Sequence, residues 1–189
     1  EDCRFATHLA EQGYGKLRVS VNVSGQQFSR DDFLDSVHQI ITASGASVKQ
    51  IELEITETAV LKSLDEAVEK LRCLRDYGIQ VSLDDFGTGY SSLNYLLQLP
   101  FDTLKIDKSF IDMIGLEAKG GQIIEAILSL AHVLEKSVIA EGVETKEQLA
   151  YLQSIHCDTI QGYYFSRPLP ETDAMRFLQQ CAAGEGGIG

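Results

Sequence analysis

The sequence predicts an α/β fold, a TIM-like (β/α) barrel, and three observations carry that expectation. Short β-branched runs alternate with longer amphipathic stretches along the chain. The order is strand then helix throughout, which implies a parallel sheet joined by right-handed crossovers. Each short run also finishes on a carboxylate, an amide or a lysine, and in a (β/α) barrel the C-terminal strand ends form the active site.

Taken in order, Asp2 to Gln12 reads as a helix and Leu17 to Val23 (LRVSVNV) as the first strand. A helix follows Ser29, where Arg30-Asp31-Asp32 supply an acidic first turn. Ile51 to Ile55 is the next strand. Ser63 is the expected N-cap of a helix through about Asp76, with Leu64, Ala67, Val68, Leu71 and Leu74 on its apolar face. Gly78 ends that helix as a left-handed cap. Ile79 to Leu83 is a strand, followed by a Gly-rich turn and a short helix around Ser92 to Leu97. Further strands are expected at Thr103 to Ile106, Ser137 to Ala140 and Thr159 to Ile160, with helices at Gln122 to Leu134, Lys146 to Ser154 and Glu171 to Gln180.

About six strand–helix units are visible, against eight in roughly 250 residues for a full barrel. An N-terminal sector of about two strands is therefore expected upstream of Glu1, and an opening on Glu-Asp instead of Met fits a chain that begins inside a longer protein. Residues 1–183 then form one partial barrel domain, and 184–189 a disordered tail.

At 189 residues the chain accommodates one substantial core and not two. A hydrophobic fraction of 44% with 23% charged residues is that of a soluble globular domain. Lys and Arg number 16 against 28 Asp and Glu, and the net charge of -12 argues against duplex nucleic acid as a partner. Excess carboxylates are compatible with hard-cation sites. Cys3, Cys73, Cys157 and Cys181 lie far apart without a C-x-x-C, so reduced and mostly buried thiols are expected, not a zinc site or a redox pair. His8, His38, His132 and His156 are expected in helices, without ligand spacing.

Read in order, the strand ends are Asn22, Glu54, Asp84 with Asp85, Lys105, Glu141 and Gln161. A barrel shaped by stability alone has no need of charge there, because buried charges must be desolvated or paired. Carboxylate and amide oxygens suit Mg2+ or Mn2+, and no His or Cys cluster favours zinc. Adjacent Asp84 and Asp85 face opposite sides of a regular strand, but a bend at the strand's end lets both turn to one site. Crowded acids repel one another, and a bound cation relieves the repulsion. Two such ions about 3.5–4 Å apart activate water and neutralise a phosphodiester undergoing in-line attack. Singly, each residue has a plainer reading: Asp-Asp as an exposed turn, Lys105 as a surface lysine, Asn22 as a turn or cap, Glu144 as an acid on a helix dipole. Their joint occurrence at successive strand ends is what those readings leave unexplained.

Six segments carry a family resemblance, in family order: VNVS (Val21 to Ser24), ELEITE (Glu52 to Glu57), SLDDFGTGYSSL (Ser82 to Leu93), LKID (Leu104 to Asp107), AEGVET (Ala140 to Thr145) and QGYYFSRP (Gln161 to Pro168). Together they resemble the EAL-domain cyclic di-GMP phosphodiesterases across essentially the whole chain. The resemblance implies a barrel of EAL type with a two-metal Mg2+ or Mn2+ site. Asn22, Glu54, Asp84 and Glu141 match metal ligands, and Asp85 matches the second-metal ligand that helps hold the nucleophilic water. Lys105 matches the lysine near that water, which orients or deprotonates it; Lys105, Glu141 and Asp85 are thus the implied catalytic set. Gln161 matches a residue that contacts the site and bound nucleotide, Glu144 a carboxylate near the substrate or metal shell, and Glu57 the residue bracing the Phe86 to Leu93 loop. In that loop Gly87 and Gly89 permit unusual backbone angles, and Ser91-Ser92 can cap the next helix.

The resemblance further implies cyclic di-GMP as ligand, upstream sensory or GGDEF-type domains, and a homodimer among the assemblies. It places the domain in the cytoplasm, within a parent that is soluble or tethered to the inner membrane. One departure stands out: the Glu-Ala-Leu segment that names the family, whose Glu completes the metal site, does not occur in these residues. The upstream sector is expected to carry it, and the fragment alone to bind metal poorly.

Three functions compete on this reading. The first is a phosphodiesterase that opens cyclic di-GMP to linear pGpG. The second is a silent receptor module, which typically lacks metal ligands or the lysine; here every matching position is filled. The third is a barrel enzyme with a Schiff base at Lys105, against which the crowding of carboxylates argues. Tyr163 and Tyr164 offer stacking surfaces for guanine, although aromatic packing at the barrel rim is their plainer role.

Overall fold

The computed structural model describes residues 1–87, 93–115 and 120–183. Helix α1 (Asp2–Leu9), prolonged by a π-helical turn over Ala10–Tyr14, leads into β1 (Val19–Val23). Then come α2 (Gly25–Phe28), α3 (Phe33–Ser44), β2 (Ile51–Thr56), α4 (Glu57–Leu61) and α5 (Leu64–Tyr77). The next elements are β3 (Gln80–Phe86), α6 (Leu93–Leu96), β4 (Thr103–Ile106), α7 (Lys108–Ile111) and α8 (Gly120–Val133). The last are β5 (Ser137–Ala140), α9 (Lys146–Ser154), β6 (Thr159–Ile160) and α10 (Glu171–Ala182).

All strand pairs are parallel, in the order β1-β2-β3-β4-β5-β6. Because spatial order follows chain order, every crossover steps the same way, as in a barrel; a doubly wound sheet reverses direction partway. The expected (β/α)-barrel class is therefore the observed one. Among the described residues β1 and β6 pair on one side only.

Register sorts the side chains into two kinds of row. Val23, Ile55, Leu83, Leu104 and Val138 are successive cross-strand partners, and all five belong to the hydrophobic core. That core also contains Ala67, Val68, Leu71 and Leu74 of α5 and Ile124 and Leu128 of α8. One residue away in each strand, Asn22, Glu54, Ser82, Thr103 and Ser137 are partners in turn, a wholly polar row. Successive residues of a strand point to opposite faces, so the helices cover the apolar rows and the polar rows turn inward.

Local chemistry sets the element ends. Gly78 terminates α5 at φ 95°, a conformation that glycine reaches without strain. Reciprocal capping boxes start α2 (Ser24 with Gln27) and α9 (Thr145 with Gln148). Ser63 precedes α5 as expected but makes no side-chain cap bond.

Several expectations need correction. The five or fewer residues of α2, α4 and α7 were not anticipated as helices, and β3 extends past Leu83 to Phe86. His156 lies outside any helix, in a turn at φ 58° after α9. Of four free thiols only Cys3 is buried, and Cys73 is exposed. Ser91 and Ser92, expected as caps, Gly89 and the tail 184–189 fall outside the described residues. No helix of the described residues is long and apolar enough to cross a membrane.

Candidate active site

The inward rows converge on one lysine. Lys105 projects from β4, and its Nζ lies 2.6 Å from Glu54 Oε2 of β2, 2.7 Å from Glu141 Oε1 just past β5, and 3.5 Å from Asp84 Oδ1 of β3. The side chains of Lys105, Glu54 and Asp84 are 3%, 8% and 13% exposed, so this cluster is removed from bulk water. Burying one ion without its partners costs several kcal/mol, which is why the charges appear together. Burial works against the lysine's charge, but hydrogen bonds and charges from Glu141 and Glu54 outweigh it and hold the ammonium above the usual lysine range. Burial pushes the Glu141 carboxyl up, with Lys105 pulling the other way.

The two aspartates are accommodated by a break in the ladder. Pairing of β3 with β4 shifts register between Leu83 and Phe86, leaving Asp84 and Asp85 in the bulge. Asp85 takes φ 55°, and its N–H donates to Asp84 Oδ1 at 3.0 Å. Aspartate enters this left-handed region more readily than most residues because its short polar side chain bonds locally. The bulge thus cancels the alternation that otherwise sends neighbours to opposite faces. Burial raises the Asp85 carboxyl, reinforced by the charges of Asp84 and Asp107.

Asp107 is the residue that sequence reasoning missed. It follows β4, caps α7 by accepting from Ser109 N–H at 3.0 Å, and feels the charge of Asp85. The side-chain hydrogen bond from Ser109 holds its carboxyl below the usual range. The signal was its position two residues after Lys105, on the same side of the chain's alternation.

The remaining residues named from the sequence are placed as follows. Asn22 is exposed on the edge strand β1, directly in register with Glu54. Gln161 is exposed just after β6; its N–H donates to Ala140 O at 2.9 Å and its carbonyl accepts from Val143 N–H at 3.0 Å. Glu144 pairs with Lys108 at 3.4 Å. Glu57 is buried at the start of α4 and accepts from Gly87 N–H at 3.0 Å and from the Tyr95 hydroxyl. Those donors flank residues 88–92, which lie outside the described residues. Tyr163 and Tyr164 are exposed; Tyr164 packs edge-on against Phe165, and Arg167 stacks over Tyr163 with 5.0 Å to the ring centroid.

Among the described residues, no three His, Cys, Asp or Glu side chains are arranged to hold an ion directly. The ammonium of Lys105 occupies the centre that Glu54, Asp84 and Glu141 share. The donor chemistry nevertheless fits a hard divalent cation, since all three acids offer oxygen and reach one point within 3.5 Å. One ammonium against three carboxylates also leaves excess negative charge at the strand ends, which a further cation would neutralise.

Fold and site define a (β/α)-barrel domain with a lysine-centred carboxylate cluster at its strand ends. The chain belongs to the EAL domain family, whose model matches residues 3–168. It is 43% identical over 177 residues to the cyclic di-GMP phosphodiesterase NbdA of Pseudomonas aeruginosa, covering 94% of this chain and 23% of NbdA. The chain spans about a fifth to a third of the length of the curated relatives it matches. Among solved structures it resembles the PaMucR phosphodiesterase in complex with c-di-GMP, with TM-score 0.88 and 34% identity over 92% of this chain and 70% of that one. The manganese and cyclic di-GMP complex of Klebsiella pneumoniae BlrP1 gives TM-score 0.78 and 30% identity, covering 88% of this chain and 43% of that one.

Proposed function

We propose that the protein containing this chain is a metal-dependent phosphodiesterase that hydrolyses one phosphodiester of cyclic di-GMP to give linear pGpG. The observation carrying this reading is the convergence of Glu54, Asp84 and Glu141 on Lys105 Nζ at the strand ends. The named activity of NbdA and the ligand in the PaMucR complex support it.

In this reading Asn22, Glu54, Asp84 and Glu141 hold one Mg2+ or Mn2+ and Asp85 a second. Bound there, the ions supply charge neutralisation at the phosphate and a more acidic water. The remaining work falls to the chain's own groups. Lys105 Nζ reaches the centre that the acids share, and from there it orients the water and steadies phosphate charge by donating hydrogen bonds. The carboxylates crowded around it favour the ammonium, which works against an amine nucleophile and hence against Schiff-base chemistry. Water adds to phosphorus, one P–O ester bond breaks, and the departing oxygen takes up a proton. Gln161 and Glu144 face the nucleotide, and Glu57 braces the 86–93 loop through Gly87 and Tyr95. Upstream sensory or GGDEF-type domains, a homodimer and a cytoplasmic location complete the proposal; MucR of Pseudomonas aeruginosa, named as a bifunctional diguanylate cyclase and phosphodiesterase, supports the domain pairing.

Incubating the full protein with cyclic di-GMP and Mg2+ or Mn2+ is expected to yield pGpG by chromatography, with little product in Ca2+, whose longer bonds and higher ligand number misplace the water. Full activity in excess chelator would refute the metal mechanism. Binding with no product after long incubation with metal would replace it by the receptor reading.

A further inference from the structure

The five residues that follow β5, Glu141 to Thr145, carry two of the site's carboxylates, and their backbone is gripped from both sides. Towards β4, the Glu141 N–H donates to Ile106 O at 3.1 Å. Gln148 joins the loop to α7: its Oε1 accepts from the N–H groups of Glu144 at 2.8 Å and Thr145 at 3.0 Å, while its Nε2 donates to Ile111 O at 3.3 Å. Towards β6, the Val143 N–H donates to Gln161 O at 3.0 Å and Tyr164 N–H donates to Val143 O at 2.9 Å. These bonds leave two things unset: the bend at Gly142 and the direction of the Glu144 carboxylate.

Lys108, the first residue of α7, meets both. Gly142 sits at φ 73°, and a Cβ placed there would stand 2.5 Å from Lys108 Cγ and 2.7 Å from its Cβ. Only a glycine lets the lysine stem lie across the loop backbone at that distance. At the end of the stem, Nζ lies 2.7 Å from Asp112 Oδ1 and 3.4 Å from Glu144 Oε1. Lys108 and Glu144 are 42% and 44% exposed, and ion pairs this exposed add little to stability. Their consequence is electrostatic: Lys108 compensates Asp112 and Glu144, two carboxylates on the segments that follow β4 and β5, beside the strand-end cluster.

We propose that Lys108 is a positioning residue of the cyclic di-GMP site, whose stem seats the Gly142 bend and whose ammonium holds and neutralises Glu144. This rests on the phosphodiesterase reading, and it assigns a role to a residue outside the metal-ligand set and the lysine–carboxylate cluster.

The test compares Lys108→Met, Lys108→Arg and Lys108→Met in a Glu144→Gln background, all in the full protein. Lys108→Met is expected to raise KM for cyclic di-GMP on the order of 3- to 10-fold, less at high salt, as loss of a rim charge does. The turnover number and melting temperature should stay near wild type, Lys108→Arg should restore KM, and the effect should shrink in Glu144→Gln, where only Asp112 is left uncompensated. Calorimetric Kd for cyclic di-GMP in Ca2+ provides the same comparison without turnover, and Lys108→Gln substitutes if Lys108→Met folds poorly. A wild-type KM and Kd in Lys108→Met, or an undiminished effect in Glu144→Gln, overturns the proposal. If the wild type binds but makes no pGpG, the phosphodiesterase reading fails while Kd still decides the role of Lys108; if it does neither, both fail.

Discussion

The two faces of the same sheet share a backbone and a hydrogen-bond ladder, yet they do opposite things. On the outward face Val23, Ile55, Leu83, Leu104 and Val138 stand in register and are at most 8% exposed. Burying aliphatic side chains of this size contributes about 1.5–3 kcal/mol each before entropy is counted. One residue along each strand, the inward row holds Asn22, Glu54, Ser82, Thr103 and Ser137, of which Glu54, Ser82 and Thr103 are buried, as are Lys105 and Glu52 on the same face. That face costs desolvation and is tolerated because its ions are paired. Stability and chemistry are therefore separated by the two-residue period of a strand, and adjacent residues such as Leu104 and Lys105 can be used to pull them apart.

The largest effect is expected from Lys105→Met, which should abolish pGpG formation. Removing the ammonium leaves the buried Glu54 and the partly buried Glu141 without their partner, a loss of about 3–5 kcal/mol in the absence of metal. Denaturant titration should detect this loss, and Mn2+ should recover more stability in the variant than in the wild type. If Lys105→Met is as stable as wild type without metal, the inward face is not the costly one.

Leu104→Ala, a single residue away, should destabilise by about 2–5 kcal/mol through cavity formation, yet leave the turnover number of the folded fraction near wild type. A turnover loss as complete as that of Lys105→Met would break the proposed division between faces. Glu57→Gln weakens charge-assisted hydrogen bonds from Gly87 and Tyr95, each worth about 1.5–3 kcal/mol at most. Its activity should fall by more than its stability explains, measured as turnover at saturating substrate against the denaturation midpoint. Asp107→Asn has the smallest expected cost, below about 1 kcal/mol, because asparagine caps nearly as well as aspartate and only the charge is lost. Because Asp107 is held below the usual aspartate range by Ser109, its contribution is present above the unfolded pKa of about 4 and is lost as pH falls through the lower folded value. The difference between wild type and Asp107→Asn should accordingly shrink in acid.

The regular architecture was legible in the sequence because alternation is a local property. Thr103–Ile106, Ser137–Ala140, Thr159–Ile160 and Lys146–Ser154 fall where their patterns placed them. The short helices α2, α4 and α7 were not, since four or five residues have no period to read; the Ser24 to Gln27 capping pattern was nonetheless present in the sequence. β3 outran its predicted end because the Asp84-Asp85 pair reads locally as a turn, whereas pairing with β4 carries the strand through a bulge to Phe86. The strand-end residues of the site were visible one by one. That the acids share one site was expected from the barrel; that Lys105 bonds Glu54 and Glu141 directly was not, because those contacts join residues 51 and 36 positions away, on separate strands. Asp107 was passed over because a capping role accounts for it locally; its electrostatic link to Asp85 depends on the bulge.

The most direct test is anomalous diffraction from crystals of the full protein grown with Mn2+. Peaks bonded to carboxylate oxygens of Glu54, Asp84 and Glu141, with Lys105 Nζ displaced from the shared centre, are the predicted outcome. A Lys105 still bonded to Glu54 and Glu141, with manganese absent or bound elsewhere, would contradict the account.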